Sequence, residues 1–322
     1  MRSVLRFLAL ALAWLLIVVT GLAIWLHYTA SRGSVAIYAT AGVPFAILPG
    51  VLAALLFVVL RRWVAFFVSV LVIAGVCFTQ GPLWVSQTPQ AGDRFTVVTA
   101  NLRVGSGDVA DVADVADVAD VAAAAAGAQL VALQEVTPLA LERVRHSALG
   151  HRFPFVYALP GPAATGGVLL GRSALDEERR MPNMVMNNPG ARTSVPGGPR
   201  TQVLAIHLPA PMSGHAGDWV HDMHLLKEQL QGLGDGPAIV AGDFNATWDH
   251  AQYRQLLTAG FADATSQAGA WWQPTFPTDR IGGRPLVAID RVIVRGFVAT
   301  SVRTFTVSGS DHRGVVVSLV TV

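Results

Sequence analysis

Cysteine is almost absent from this chain. The 322 residues hold one, Cys77, so neither a disulfide nor a thiolate metal site can form within it, and cysteine usage does not decide the redox compartment. Lysine is as scarce, with Lys227 alone among 23 basic residues. Acids are missing from residues 1–92, which carry five arginines (Arg2, Arg6, Arg32, Arg61, Arg62), whereas all 21 acids lie from Asp93 onward. The two parts are built for different solvents. Setting the five arginines aside leaves 18 bases against 21 acids, a formal charge of −3 for the acid-bearing part. That part has no global electrostatic reason to bind nucleic acid.

Apolar sequence fills the acid-free part. Residues 5–25, 35–60 and 63–78, the last extendable to 84, are each close to the roughly 20 residues that cross a bilayer core, and they predict three transmembrane helices. Pro44, Pro49 and Gly50 in the second run predict a kink that neighbouring helices can tolerate. A cleaved signal peptide would need a shorter apolar part and a small-x-small site leading into polar sequence, whereas a second apolar run follows at once. Arg2 and Arg6 precede the first run and Arg61 with Arg62 fill the turn between the second and third, against Arg32 alone in the other loop. This bias predicts a cytoplasmic amino terminus and an extracytoplasmic remainder, held at the cell membrane. The expected organisation is an anchor over 1–84, a polar linker over 85–93 and a folded domain over 94–322.

Within the last part, strands alternate with helices. Residues 95–102 predict a strand closing on Asn101, and 131–136 another closing on Gln134-Glu135. Further strands are expected at 167–172 and at 203–208, the latter carrying His207. Residues 238–241 read as a buried strand that breaks at Gly242 into Asp243-Phe244-Asn245. Residues 286–294 form an apolar strand around Asp290, where a buried acid requires a partner. Asp311-His312 precedes the final strand at 314–319, and His312 is the natural partner for Asp290. Helices are expected at 137–149, opened by Thr137 and Pro138, at 218–233 and at 249–259. The Pro-, Gly- and Asn-rich stretches 161–166 and 181–199 read as loops able to wall a pocket.

Three features need weighing. A five-fold Asp-Val-Ala repeat begins at Asp108 and runs into alanines up to 126; a period of three winds the acids around a helix, so a solvated helix is favoured over a cation ladder. His215, His221 and His224 lie on or before one helix, without a carboxylate motif converging on them, and read as a solvated face. Trp271, Trp272 and Phe276 in a Pro-rich loop either form a platform for lipid or base, or seal a core edge.

Asn101, Glu135, His207, Asp243, Asn245, Asp290, Asp311 and His312 make an oxygen-rich donor set without thiolate. Such a set favours Mg²⁺ or Mn²⁺ over zinc and points to phosphate chemistry. The order Asn-Leu, Gln-Glu, His-Leu, Gly-Asp-Phe-Asn, Ile-Asp and Ser-Asp-His resembles the endonuclease/exonuclease/phosphatase superfamily across residues 93–322. The resemblance implies an α/β fold, a four-layer sandwich of two mixed sheets flanked by helices. It implies that Asn101, Glu135 and Asp311 serve the metal, that His207 and Asn245 bind the scissile phosphate, and that Asp243 orients or deprotonates water. It also implies that His312, polarised by Asp290, is the base or stabilises developing charge. Arg291, Ile206 and Gly171 depart from common family residues, and only Tyr157 and Arg172 are candidates for the tyrosine that the family's nucleases aim at phosphate.

Three apolar runs ahead of such a domain look like the membrane-bound teicoplanin-resistance proteins of actinobacteria. That likeness implies a hydrolase of lipid-linked phosphate or diphosphate, with the lipid membrane and a phosphorylated lipid as partners and nucleic acid less favoured. An anchored nuclease and a phospholipase C or sphingomyelinase-like phosphodiesterase are the rival readings.

Overall fold

The computed structural model describes residues 2–87, 92–122 and 128–322; part of the expected linker and the end of the alanine run lie outside these. Helices α1 (Arg2–Tyr28) and α4 (Trp63–Gln80) belong to the stretches Ser3–Tyr28 and Trp63–Leu83, each long and apolar enough to cross a membrane. The second apolar run is not one helix. Helix α2 (Ser34–Ala41) and the stretch ending in α3 (Ile47–Val59) meet at 65°, so among the described residues the helices long and apolar enough to cross a membrane number two, or three if the bent pair counts as one. The break falls on Gly42-Val43-Pro44, where the proline lacks the N–H that a continuing helix needs. Pro49 sits in the first turn of α3 and is tolerated there. Small residues bring the helices close, since a Cβ added to Gly50 would meet Ile73 and Thr20.

The rest of the chain forms two six-stranded mixed sheets. One contains β1 (Arg94–Asn101), β2 (Ala128–Gln134), β3 (Phe155–Leu159) and β4 (Gly167–Gly171), and the late strands β11 (Phe297–Thr306) and β12 (Arg313–Thr321), in the order β11-β12-β1-β2-β4-β3. The other contains β5 (Asp176–Arg180), β6 (Pro189–Thr193), β7 (Thr201–His207), β8 (Ala238–Asp243), β9 (Ala262–Asp263) and β10 (Asp290–Arg295), in the order β5-β6-β7-β8-β10-β9. Among the described residues only β1–β2 and β7–β8 are parallel; each has a helix in its crossover, α5 (Val109–Ala122) and α8 (Ala216–Gln231) respectively.

Side-chain alternation sorts the strands into four layers. Phe95, Val97, Leu130 and Ala132 face Val203, Ala205, Ile239 and Ala241 between the sheets. Val98, Ala100, Val131 and Leu133 turn outward, under α5, α6 (Pro138–His146) and a short α7 (Ala148–Arg152). On the far side Leu204, Ile206 and Val240 pack under α8, led by the fully buried Trp219, and against α9 (Ala251–Arg254). A last short helix, α10 (Ala264–Ala268), follows β9.

Several expected boundaries move. The helix expected at 137–149 ends at His146, because Ser147 caps a separate turn by accepting from Gly150. The helix expected at 249–259 shrinks to Ala251–Arg254. The stretch 181–199, expected as a loop, contains β6, whose Pro189 occupies the first strand position that proline tolerates. The strand expected from 286 begins only at Asp290.

Candidate active site

The inward-facing row on each central strand ends in a polar residue. Counting by twos from Phe95 and Val97 reaches Asn101; from Leu130 and Ala132, Gln134; from Val203 and Ala205, His207; and from Ile239 and Ala241, Asp243. Register then aligns them, for His207 pairs with Asp243 across β7–β8 and Asp243 with Asp290 across β8–β10. Gly242 must be glycine, because its φ is 154° and an added Cβ would run into the Ile206 carbonyl. Non-glycine residues with positive φ gather here, Glu135 at 57°, Asn245 at 47° and Arg103 at 45°, conformations that surrounding contacts must hold.

Those contacts converge on Asp243. Its Oδ1 accepts from the Asn245 N–H at 2.8 Å and its Oδ2 from Asn101 Nδ2 at 3.2 Å. The same Asn101 amide nitrogen donates to Glu135 Oε1 at 3.0 Å, and Asn101 Oδ1 accepts from the Arg103 N–H. His207 Nε2 and His312 Nε2 each stand 3.8 Å from Asp243 Oδ2, and His207 Nε2 is 3.9 Å from Glu135. These gaps exceed a direct hydrogen bond and suit a bridging oxygen. His312 Nδ1 donates to Asp290 Oδ2 at 2.8 Å, and His207 Nδ1 donates to the Ala164 carbonyl at 3.1 Å, which leaves each Nε2 facing the centre.

The electrostatics follow from burial. Burial, reinforced by the Asp290 charge, pushes Asp243 up to about 8. Burial opposes the charged form of His312, but Asp290 and Asp243 override it and raise the imidazole to about 10. His207 is lowered by burial, against the pull of Glu135. Asp243, Asp290 and His312 place ligand-type atoms within 4.8 Å of one another, and Asp290 Oδ1 is buried without a hydrogen-bond partner among the described residues. These atoms and the unsatisfied oxygen are donors of the kind a divalent cation takes, on a set of residues different from the expected Asn101, Glu135 and Asp311.

The other expected residues are more dispersed. Asp311 lies at the rim, 3.8 Å from Arg103 Nε. Asn245 donates its side-chain N–H to the Leu208 carbonyl at 2.8 Å. Tyr157 packs against the inter-sheet core, and Arg172 follows the end of β4 remote from Gly167 and lies over the Phe153 ring. Arg291, which departs from the family pattern, points away to a buried ion pair with Asp263 at 2.9 Å. His215 pairs with Asp218 and His224 with Glu228 on the exposed face of α8.

Sequence reasoning missed the supports. Ser310 donates its hydroxyl to the Asn101 carbonyl at 2.7 Å and accepts from the His312 N–H at 3.0 Å, tying the last loop to β1. Thr275 Oγ1 receives the Asp290 N–H at 3.3 Å, and the Phe276 ring lies 4.8 Å from the His312 ring. The Ser-x-His spacing was visible; its contact with a strand some 200 residues away was not.

Comparison with solved structures finds the same fold. A humanized D. rerio TDP2 carrying 14 mutations aligns at TM-score 0.55 and 16% identity, covering 71% of this chain and 99% of its own. D. rerio TDP2 complexed with a single-strand DNA product gives 0.54, 17%, 71% and 99%. An endonuclease/exonuclease/phosphatase family protein from Bacteroides thetaiotaomicron gives 0.51, 18%, 72% and 100%. No curated protein matches. Residues 98–312, most of the chain, match the Endonuclease/Exonuclease/phosphatase family, so the chain belongs to that family of metal-dependent hydrolases acting on phosphoester bonds.

Proposed function

We propose that this chain hydrolyses a phosphate or diphosphate ester carried by a lipid, on the outer face of the cytoplasmic membrane. The observation that carries the reading is the clamp between the site and the apolar helices. Three residues beyond Asn245, Trp248 Nε1 donates to the Thr79 carbonyl of α4 at 3.0 Å; Asp249 Oδ1 then accepts from both His27 and Gln80, each at 2.8 Å. Arg254 donates to the His27 carbonyl, and His250 to the Ile37 carbonyl. Such a joint holds the catalytic centre at a fixed height over the helix ends, where an interfacial substrate is locally concentrated. Arg6, Arg61 and Arg62 line one cavity at the bundle's other end, which supports a cytoplasmic placement of that end and an extracytoplasmic catalytic domain.

In this reading Glu135 and Asn101, with Asp311 at the rim, would hold Mg²⁺ or Mn²⁺, which would supply positive charge to the nonbridging oxygens. His207 and Asn245 bind the phosphate. Asp243 positions water in line, and the Asp290-oriented His312 takes or supplies the proton through Nε2. A role alongside the teicoplanin-resistance membrane proteins is the corresponding biological proposal.

The nuclease alternative draws on the D. rerio TDP2 likeness, but a domain of formal charge −3 offers a nucleic-acid backbone no net electrostatic attraction. The test is Mg²⁺-dependent inorganic phosphate release from undecaprenyl diphosphate by the detergent-purified full chain, beside plasmid DNA and an Asp243→Ala control. Phosphate release without DNA cleavage is expected; DNA cleavage without phosphate release overturns the reading, and release of phosphocholine from phosphatidylcholine or sphingomyelin assayed in parallel, without phosphate release from undecaprenyl diphosphate, makes the protein a phospholipase C-type enzyme.

A further inference from the structure

The broken second apolar run builds a wall. Ile37, Tyr38 and Ala41 of α2 and Phe45 after the break face the catalytic loops across a cavity of about 650 Å³, within the range of sites for drug-sized ligands. Its opposite wall is apolar too, with Met212, Pro277, Leu286, Val287 and Ile289. Two contacts fix the walls relative to each other: Ser34 Oγ donates to the Met212 carbonyl at 2.8 Å, and His250 Nε2 donates to the Ile37 carbonyl at 3.0 Å.

The groove has a polar end and an apolar end. At the polar end stand Asn245, which donates its backbone N–H to Asp243, and Phe276, whose ring lies against His312. Arg280 also lines it, beside Asp279 and Arg103 at the rim of the site. At the other end Tyr38 and Phe45 belong to the segment interrupting the apolar helices and remain 54% and 37% exposed, so the groove opens where a bilayer would begin. An apolar trough that starts at a phosphate site and ends among membrane helices matches an amphiphile with an anionic head.

We propose that this groove is the binding site for the hydrocarbon chain of the substrate lipid, whose phosphate lies at Asp243 and His312. The assignment rests on the lipid-phosphate reading above and adds its specificity determinant: chain length is read between α2 and the 276–289 loop, by residues that take no part in the chemistry.

Two measurements on the full chain in nanodiscs test it. First, phosphatidic acid carrying a diazirine in its acyl chain is photolysed with the wild-type protein and the adducts are mapped. Adducts within 37–45 and 276–289, in excess over those from a matched phosphatidylcholine probe, are expected. Adducts confined to the outer faces of α1 and α4, or equal labelling by both lipids, overturn the proposal. Second, Ala41→Trp and Val287→Trp, which fill the groove, are assayed on dioleoyl and dihexanoyl phosphatidic acid. Loss of about tenfold in kcat/KM on the long-chain substrate, mainly in KM, is expected, with less than about twofold on the short-chain one. Equal loss on both, or none on the long chain, overturns it. Labelling reports on the groove without turnover, and phosphate release reports on the reaction, so each reading can fail alone.

Discussion

Two buried Asp–His pairs share one geometry in this protein. Asp290 holds His312 and Asp249 holds His27, each at 2.8 Å. The surroundings differ. Asp249 Oδ1 also receives Gln80 Nε2, and Arg254 closes the cluster by bonding the His27 and Trp248 carbonyls, so this pair is a finished joint. Around the other pair, Asp290 Oδ1 is left unsatisfied and His312 Nε2 faces a 3.8 Å gap shared with Asp243. A carboxylate and an imidazole in contact therefore carry no function of their own; what decides is whether the remaining polar atoms are used up or aimed at a common space.

Breaking the open pair has the largest expected effect. His312→Ala removes the group facing the gap and lowers kcat by about a thousandfold, with Asp243→Ala at least as severe and the unfolding midpoint of each variant near wild type. Chelation of divalent metal should abolish turnover, and Mg²⁺ or Mn²⁺ should restore it. A turnover within tenfold of wild type in His312→Ala would return that pair to the structural class.

Breaking the finished joint reverses the pattern. Asp249→Ala strands His27 and Gln80 in a buried position and costs about 3 kcal/mol of stability, read as a shift in the denaturant midpoint of the solubilised chain. Turnover of a soluble phosphoester should stay within about twofold, while turnover of a bilayer substrate falls. A soluble-substrate loss as large as that of His312→Ala would mean the joint sets the geometry of the site itself.

The open pair was largely legible in the sequence and the joint was not, for a physical reason. Asn101, His207 and Asp243 each end a strand whose alternation can be counted, and Gly242 marks where the count stops. Asp249 follows the last of these motifs without any periodic signal, and its partners lie 222 and 169 residues away, in helices that composition reads only as apolar. Trp271 and Trp272 were equally ambiguous. They form neither an open platform nor a core seal: Trp271 stacks on Trp84 at 4.2 Å and Trp272 meets Phe45, so both belong to the contact with the apolar helices. The edge strand β5 escaped notice because Asp176–Arg180 is uniformly polar, as edges that avoid further pairing often are.

The joint also contains the smallest of the expected effects, a pH dependence carried by His250. Its Nδ1 accepts from the Thr247 N–H at 3.0 Å and its Nε2 donates to the Ile37 carbonyl, so the contact uses the neutral ring. Burial lowers the group from 6.5 to about 4, although the Ile37 carbonyl pulls the other way. A histidine depressed in the folded state binds its proton more readily when unfolded. Its stabilisation is therefore complete above about pH 6.5 and is lost as pH falls towards 4, by at most about 3 kcal/mol. His207 titrates in the same sense, whereas Asp243 and His312 are raised and act oppositely, so the pH profile of the wild type alone mixes them. His250→Gln separates the contributions, because glutamine can still donate to the Ile37 carbonyl but does not titrate. Between pH 6.5 and 4 the stability advantage of wild type over His250→Gln should shrink steadily; a difference independent of pH would show that the joint does not depress the ring, and one that grows as pH falls would show that the ring is charged within it.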